Sequence, residues 1–137
     1  NKINDFVSLN QEIEYIEKYI ALQKIRTSNA NFVNFTVHGN LSNKTIAPML
    51  FIPFIENAFK YVSNKKTEHA ITIRITCEEH ELRFECENQF GTTTTLSSNG
   101  LGNDLIEKRL ALLYPKKHTL VISNQDHLYQ VNLVIKK

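Results

Sequence analysis

Two short segments, "AITIRITC" (70–77) and "ELRFECEN" (81–88), alternate apolar and other residues with period two and are separated by only three residues. Alternation of that kind puts one set of side chains on each face of a strand, and a connection so short forces an antiparallel hairpin. One face of the hairpin must be covered, so the rest of the chain has to supply the cover. That requirement constrains the fold more than any other feature.

The cover is written as helical periodicity. Residues 9–26, "LNQEIEYIEKYIALQKIR", predict a helix in which Ile13, Ile16, Ile20 and Ile25 mark one side and Tyr15, Tyr19 and Leu22 widen it. Glu12, Glu14, Glu17, Lys18 and Lys24 are expected mostly elsewhere, toward solvent, with Asn10 as the cap. A second helix is predicted within "IAPMLFIPFIENAFKYV", where positions 51, 54, 55, 58, 59 and 62 fall at spacings of three and four. Pro48 and Pro53 predict a broken or strained first turn over 48–53. A third helix, "LGNDLIEKRLALLY" (101–114), has Leu105, Ile106, Leu110 and Leu113 as its apolar positions and Pro115 as its stop.

"FVNFTVH" (32–38) reads as a further strand. The C-terminal stretch reads as two more around a turn near 124–127, with Tyr129, Val131, Leu133 and Ile135 on one face. The order helix, strand, helix, strand, strand, helix, strand, strand predicts an α+β fold. It is a two-layer α/β sandwich with a mixed, mostly antiparallel sheet covered on one face by helices. No nucleotide fingerprint follows the first strand, which sets aside a doubly wound fold.

Composition narrows the function classes. The 137 residues suit one domain, and a formal net charge of +2 from 16 basic and 14 acidic residues gives no electrostatic case for a nucleic-acid partner. The two cysteines, Cys77 and Cys86, make neither a disulfide framework nor a metal site, and are expected as core or cross-strand thiols. The five histidines show no ligand spacing, and no stretch reaches transmembrane length.

Within the second helix, Glu56, Asn57 and Lys60 lie three and four apart and share a narrow polar face among aromatic neighbours. They could form an ordinary solvated face or meet a ligand. Glycine is scarce, yet Gly100 and Gly102 flank Leu101 just before the third helix, where free backbone N–H groups can meet phosphate or simply serve the turn. The polar loop before them, 91–99, is expected to act as a lid or to be unstructured. An amide oxygen beside a carboxylate suits magnesium, which takes hard oxygens and keeps several waters, while Lys60 offers charge to phosphates.

These stretches together resemble the ATP-binding domain shared by gyrases, chaperones, histidine kinases and MutL, the GHKL or Bergerat ATPase fold. More narrowly they resemble sensor histidine kinases of the LytS/YehU type. "IAPMLFIPFIENAFKYV" is similar to the N-box, "FECENQFG" (84–91) occupies the place of the first glycine box, and "NGLGNDLIEKRLALLYP" (99–115) is similar to the second box and its helix. Residues 5–26 resemble the segment that joins the phosphoacceptor helices to the catalytic domain. The resemblance divides the chain into residues 1–8, a remnant of the phosphoacceptor and dimerisation region, and residues 9–137, the ATP-binding domain.

By that resemblance ATP and Mg2+ are the cofactors. Asn57 would coordinate the metal, Glu56 would polarise or deprotonate the incoming histidine, and Lys60 would face the phosphates. Gly100, Leu101 and Gly102 would supply the backbone beneath them. Glu87, in place of the family's adenine-reading aspartate, would keep the carboxylate one methylene longer. Asn88, Tyr61 (where the family commonly has histidine) and Arg109 complete the expected nucleotide contacts, although Arg109 suits a structural role equally. Gln89 and Phe90 replace glycines, and Asn103 and Leu105 exchange polar and apolar places in the second box.

The implied partners are the chain's own phosphoacceptor helices, a second copy in a full-length homodimer and a response regulator, with no nucleic acid. The implied setting is a cytoplasmic domain of a membrane-bound bacterial sensor. The phosphoacceptor histidine lies outside the sequence, which starts at Asn1 as an excised piece would, so the piece alone is not expected to autophosphorylate. Two other classes stand beside the kinase: a nucleotide-binding module of the same fold with little phosphotransfer, and a non-catalytic interaction domain.

Overall fold

The computed structural model describes residues 6–26, 30–62, 69–89 and 103–136. Two strands and a helix open it: β1 (Val7–Ser8), α1 (Leu9–Ile25) and β2 (Val33–Gly39). β3 (Thr45–Ile46), α2 (Ile52–Tyr61), β4 (Ile71–Cys77) and β5 (Glu81–Gln89) follow, then α3 (Asn103–Leu113), β6 (His118–Gln125) and β7 (Leu128–Lys136).

The hairpin forms as its alternation requires. β4 and β5 pair antiparallel with Ile75 opposite Phe84, and β5 continues antiparallel onto β7, where Phe84 meets Leu133. The five-stranded order is β2-β4-β5-β7-β6, and only the β2–β4 pair is parallel. Ile71, Ile73, Ile75, Leu82, Phe84, Cys86, Val131, Leu133 and Ile135 are buried on one face. The other face carries Arg74, Glu85, Arg83 and Glu81 in exposed or half-exposed ion pairs at 3.4 and 3.1 Å, each worth a few tenths of a kcal/mol. The two-layer, mostly antiparallel architecture is therefore the expected one.

Several local expectations shift. Cys77 stands opposite Leu82 and Cys86 opposite Ile73, so the thiols are about 13 Å apart along the ladder rather than neighbours across it. Burial pushes the Cys86 thiol up to about 12, helped by the Glu87 charge, which leaves it an inert core group. β6 and β7 join through Asp126 and His127, both with positive φ (55° and 63°), as a two-residue hairpin turn with the right twist demands. At Gly39 (φ 101°) a Cβ would collide with the Cys77 carbonyl, so only glycine fits that approach of β2 to β4.

α1 starts one residue earlier than its expected cap. Ser8, not Asn10, accepts from the Gln11 N–H at 3.1 Å, and the Leu9 N–H is already used by the Lys44 carbonyl. Ile13, Ile16 and Ile20 are buried, but Ile25 is 78% exposed, and Tyr15 and Leu22 face out as well. Glu12, expected among the solvated carboxylates, is buried at 6% exposure. The core stripe of α1 is thus narrower than its composition suggests and includes a charge. Ahead of it, β1 pairs with β3, and the Phe6 ring lies 5.8 Å from that of Tyr114, so residues 6–8 pack on this domain.

α2 begins at Ile52, after a turn over 48–51, with Pro53 in its first turn where a missing N–H costs nothing. Its apolar side stacks on the sheet: the Phe51 and Phe84 rings are parallel at 4.4 Å, and Phe54 lies 5.9 Å from Phe84. Phe59 meets Phe32 edge-on at 5.7 Å and Tyr19 of α1 at 5.4 Å. In α3, Ile106 and Leu110 are buried, whereas Leu105, expected among the core positions, is 76% exposed.

Candidate functional site

The packing of α2 decides what its polar residues can do. Ile52, Phe54, Ile55, Ala58 and Phe59 are buried, which turns Glu56 and Lys60 to the surface and leaves Asn57 half-buried at the boundary. No ion pair joins Glu56 to Lys60 among the described residues; Lys60 instead places its Nζ 5.3 Å from the centre of the Tyr61 ring, a cation–π geometry. A carboxylate, an amide oxygen and an ammonium are presented side by side, one helical turn in extent, over a rigid aromatic base.

On the sheet beneath, neighbouring residues diverge. Asn88 continues the inward set of Leu82, Phe84 and Cys86 and is 1% exposed on the helix-covered face. Its Nδ2 donates to the Gln89 carbonyl at 3.1 Å. Glu87 points to the other face, where it accepts from Gln130 Nε2 at 3.0 Å. There it lines a polar depression of ≈ 220 Å³ with Thr72, Arg74, Ser123 and Asn132. The sheet pleat places Glu87 away from α2, so the structure does not bring it to Glu56 and Asn57 as the sequence expectation required. Period two would have shown this, since Phe84, Cys86 and Asn88 share one parity.

Arg109 is also placed otherwise than at a ligand. Its guanidinium donates to the Met49 carbonyl at 3.2 Å and to the Pro48 carbonyl, fixing α3 to the segment that leads into α2. From α1, Glu12 Oε1 accepts from the Met49 N–H at 3.0 Å. Burial raises the Glu12 carboxyl above its ordinary range, while that N–H and the Arg109 charge act in the opposite direction. The Tyr114 hydroxyl accepts from the buried Ala47 N–H at 2.9 Å, and burial raises its pKa too. Neither Glu12 nor Tyr114 stood out in the sequence as tying α1 and α3 to this segment. Their one signal was position: Glu12 sits beside the core positions of α1, and Tyr114 directly follows α3.

Gly100, Leu101 and Gly102, with the polar loop 91–99, lie outside the described residues, as does the Asn103 side chain. Among the described residues no three His, Cys, Asp or Glu side chains gather as a metal site. A cation at Asn57 would draw its remaining ligands from phosphate and water, a donor set magnesium accepts. No helix among the described residues is long and apolar enough to cross a membrane.

Comparison with known proteins bears on the fold of the chain and on its relatives. No protein-family model matches the chain. The sensor protein kinase HptS of Staphylococcus aureus is 32% identical over 108 residues, 75% of this chain and 20% of that protein. The chain thus spans about one fifth of the curated relative's length. Among solved structures, the catalytic domain of histidine kinase ThkA superposes with a TM-score of 0.61 at 14% identity, covering 97% of this chain and 96% of that one. Histidine kinase AdeS of Acinetobacter baumannii gives 0.63 at 13% identity, over 96% of this chain and 66% of that one.

Proposed function

We propose that this chain, similar in sequence to a sensor protein kinase and in fold to histidine kinase catalytic domains, is the ATP-binding GHKL-type domain of a sensor histidine kinase of the LytS/YehU kind. In the whole protein the terminal phosphoryl group of ATP passes to a histidine upstream of this chain and from there to an aspartate of a response regulator. The setting that suits this is a cytoplasmic domain of a dimeric, membrane-bound sensor. The observation that carries the proposal is the row of exposed Glu56, half-buried Asn57 and exposed Lys60 on a helix whose opposite side packs into the core.

The residues divide the work by their chemistry. Glu56 accepts the imidazole proton as the histidine nitrogen attacks the γ-phosphorus and the bond to the bridging oxygen breaks, releasing ADP. Lys60 sets a positive charge where negative charge spreads over the transferred group. Asn57 offers its side-chain oxygen to the cation. Magnesium, when bound, neutralises phosphate charge and orients the triphosphate. Asn88, buried on the side of the sheet that α2 covers, takes the base-reading role in this proposal, in place of Glu87. The backbone contacts to the phosphates that the resemblance assigns to Gly100, Leu101 and Gly102 belong to residues outside those described.

Titration of ATP with and without magnesium into this chain tests the binding half, and phosphohistidine formation in the longer protein tests the catalytic half. A second reading, a nucleotide-binding module with little phosphotransfer, draws on one specific observation. The end of β5 turns an amide rather than a carboxylate toward the helix layer, which weakens base recognition through loss of a charged acceptor.

A further inference from the structure

Residues 47–51 form the strap that leads into α2, and side chains from two helices far apart in sequence hold it. The Met49 N–H goes to Glu12 of α1, the Met49 and Pro48 carbonyls go to Arg109 of α3, and the Ala47 N–H goes to Tyr114 just beyond α3. Met49 itself has φ 59°, the left-handed region that a residue with a side chain keeps only when its surroundings require it. α1 also touches α2 itself, through the edge of Tyr19 on Phe59.

Apolar packing of Phe51 and Phe54 on Phe84 fixes how deep α2 sits on the sheet. The directional bonds to the strap fix where the helix begins, and so tie its start to α1 and α3. A buried carboxylate is a costly way to hold a strap if packing were all that mattered. We infer that Glu12 and Arg109 are positioning residues: by taking the N–H and the C=O of Met49 from two different helices, they make the placement of Glu56, Asn57 and Lys60 depend on where α1 and α3 sit. This inference rests on the nucleotide-facing reading of α2. It adds that α1 and α3 set the site from outside without touching the ligand.

The test uses this chain with Glu12→Ala, Arg109→Met, their double variant and Glu12→Gln. Amide hydrogen exchange is followed by NMR and Mg·ATP binding by calorimetry. Glu12→Ala and Arg109→Met should each speed exchange in α2 on the order of ten-fold while β4 and β5 stay near the parent. Each should weaken Mg·ATP binding several-fold per folded molecule. The double variant should be little worse than the worse single one, because both act through Met49. Glu12→Gln, which keeps an acceptor for the Met49 N–H, should recover most of the loss. Exchange rising alike in α2, β4 and β5, or nucleotide affinity unchanged despite loosened α2, would overturn the inference. If Glu12→Ala or Arg109→Met fails to fold, Arg109→Lys and Glu12→Gln are compared with the parent on the same two readouts. A parent that binds no ATP defeats the proposed function instead, and the inference is then decided by whether the change in exchange is confined to α2.

Discussion

Glu87 and Asn88 are adjacent in the chain and stand on opposite faces of the sheet. Asn88 is buried on the helix-covered face, while Glu87 bonds to Gln130 on the open face. In the proposed function the nucleotide lies against α2, on the side of the sheet that Asn88 faces and Glu87 does not. Asn88→Ala should therefore weaken ATP binding by about 1–3 kcal/mol per folded molecule, the cost of losing a buried polar partner. Glu87→Gln should change it by less than about 0.5 kcal/mol, as surface substitutions usually do. Calorimetry of both variants checks the contrast, and the reverse order of effects would return the base contact to Glu87.

Asn57→Ala should leave thermal melting close to the parent and weaken ATP binding by roughly 1–3 kcal/mol when magnesium is present. Without magnesium the two proteins should bind alike. A sharp fall in melting temperature with unchanged binding would make Asn57 a packing amide.

Tyr114→Phe removes the acceptor of the buried Ala47 N–H and nothing else of size. An orphaned buried donor costs about 1–3 kcal/mol, so the denaturant midpoint should fall with little change in slope. A midpoint equal to the parent's would show that the strap holds without this bond.

The Glu12 carboxyl has its pKa raised from 4.5, first by burial, against the Met49 N–H and Arg109. The native state therefore keeps this proton to higher pH than the unfolded chain does. No penalty exists below the unfolded value; it grows as pH rises from 4.5 through the folded value and is complete above it. Glutamine does not titrate. The stability of the parent relative to Glu12→Gln should thus be greatest near pH 4 and decline toward pH 7, read by denaturant unfolding across that range. A difference that is flat with pH, or that grows with it, contradicts the assignment.

Much of the architecture was legible because it follows from periodicity alone. The alternation in 70–77, 81–88 and 129–135 sorted the sheet's faces, and spacings of three and four placed α2 with its polar row outward. Where the sequence misled, a tertiary contact decided the outcome. Glu12 looks like any helical carboxylate until Met49 and Arg109 are beside it. Ile25 and Leu105 look like core, yet among the described residues both side chains stand exposed. Glu87 entered through the resemblance, in the place of the family's aspartate, though its parity already put it on the face away from α2. Arg109 could have gone to a phosphate or to a carbonyl, and only the strap's geometry chose between them.

The central claim is that α2 presents a working general base to phosphoryl transfer, and Glu56→Gln tests it most directly. In the full-length protein, with magnesium and labelled ATP, the parent should form phosphohistidine. The variant should do so about 10²–10⁴-fold more slowly with nearly unchanged ATP affinity, since glutamine keeps size and hydrogen bonding but cannot take the proton. A variant that labels as fast as the parent, or a dimeric parent that binds ATP and never labels, would contradict the account.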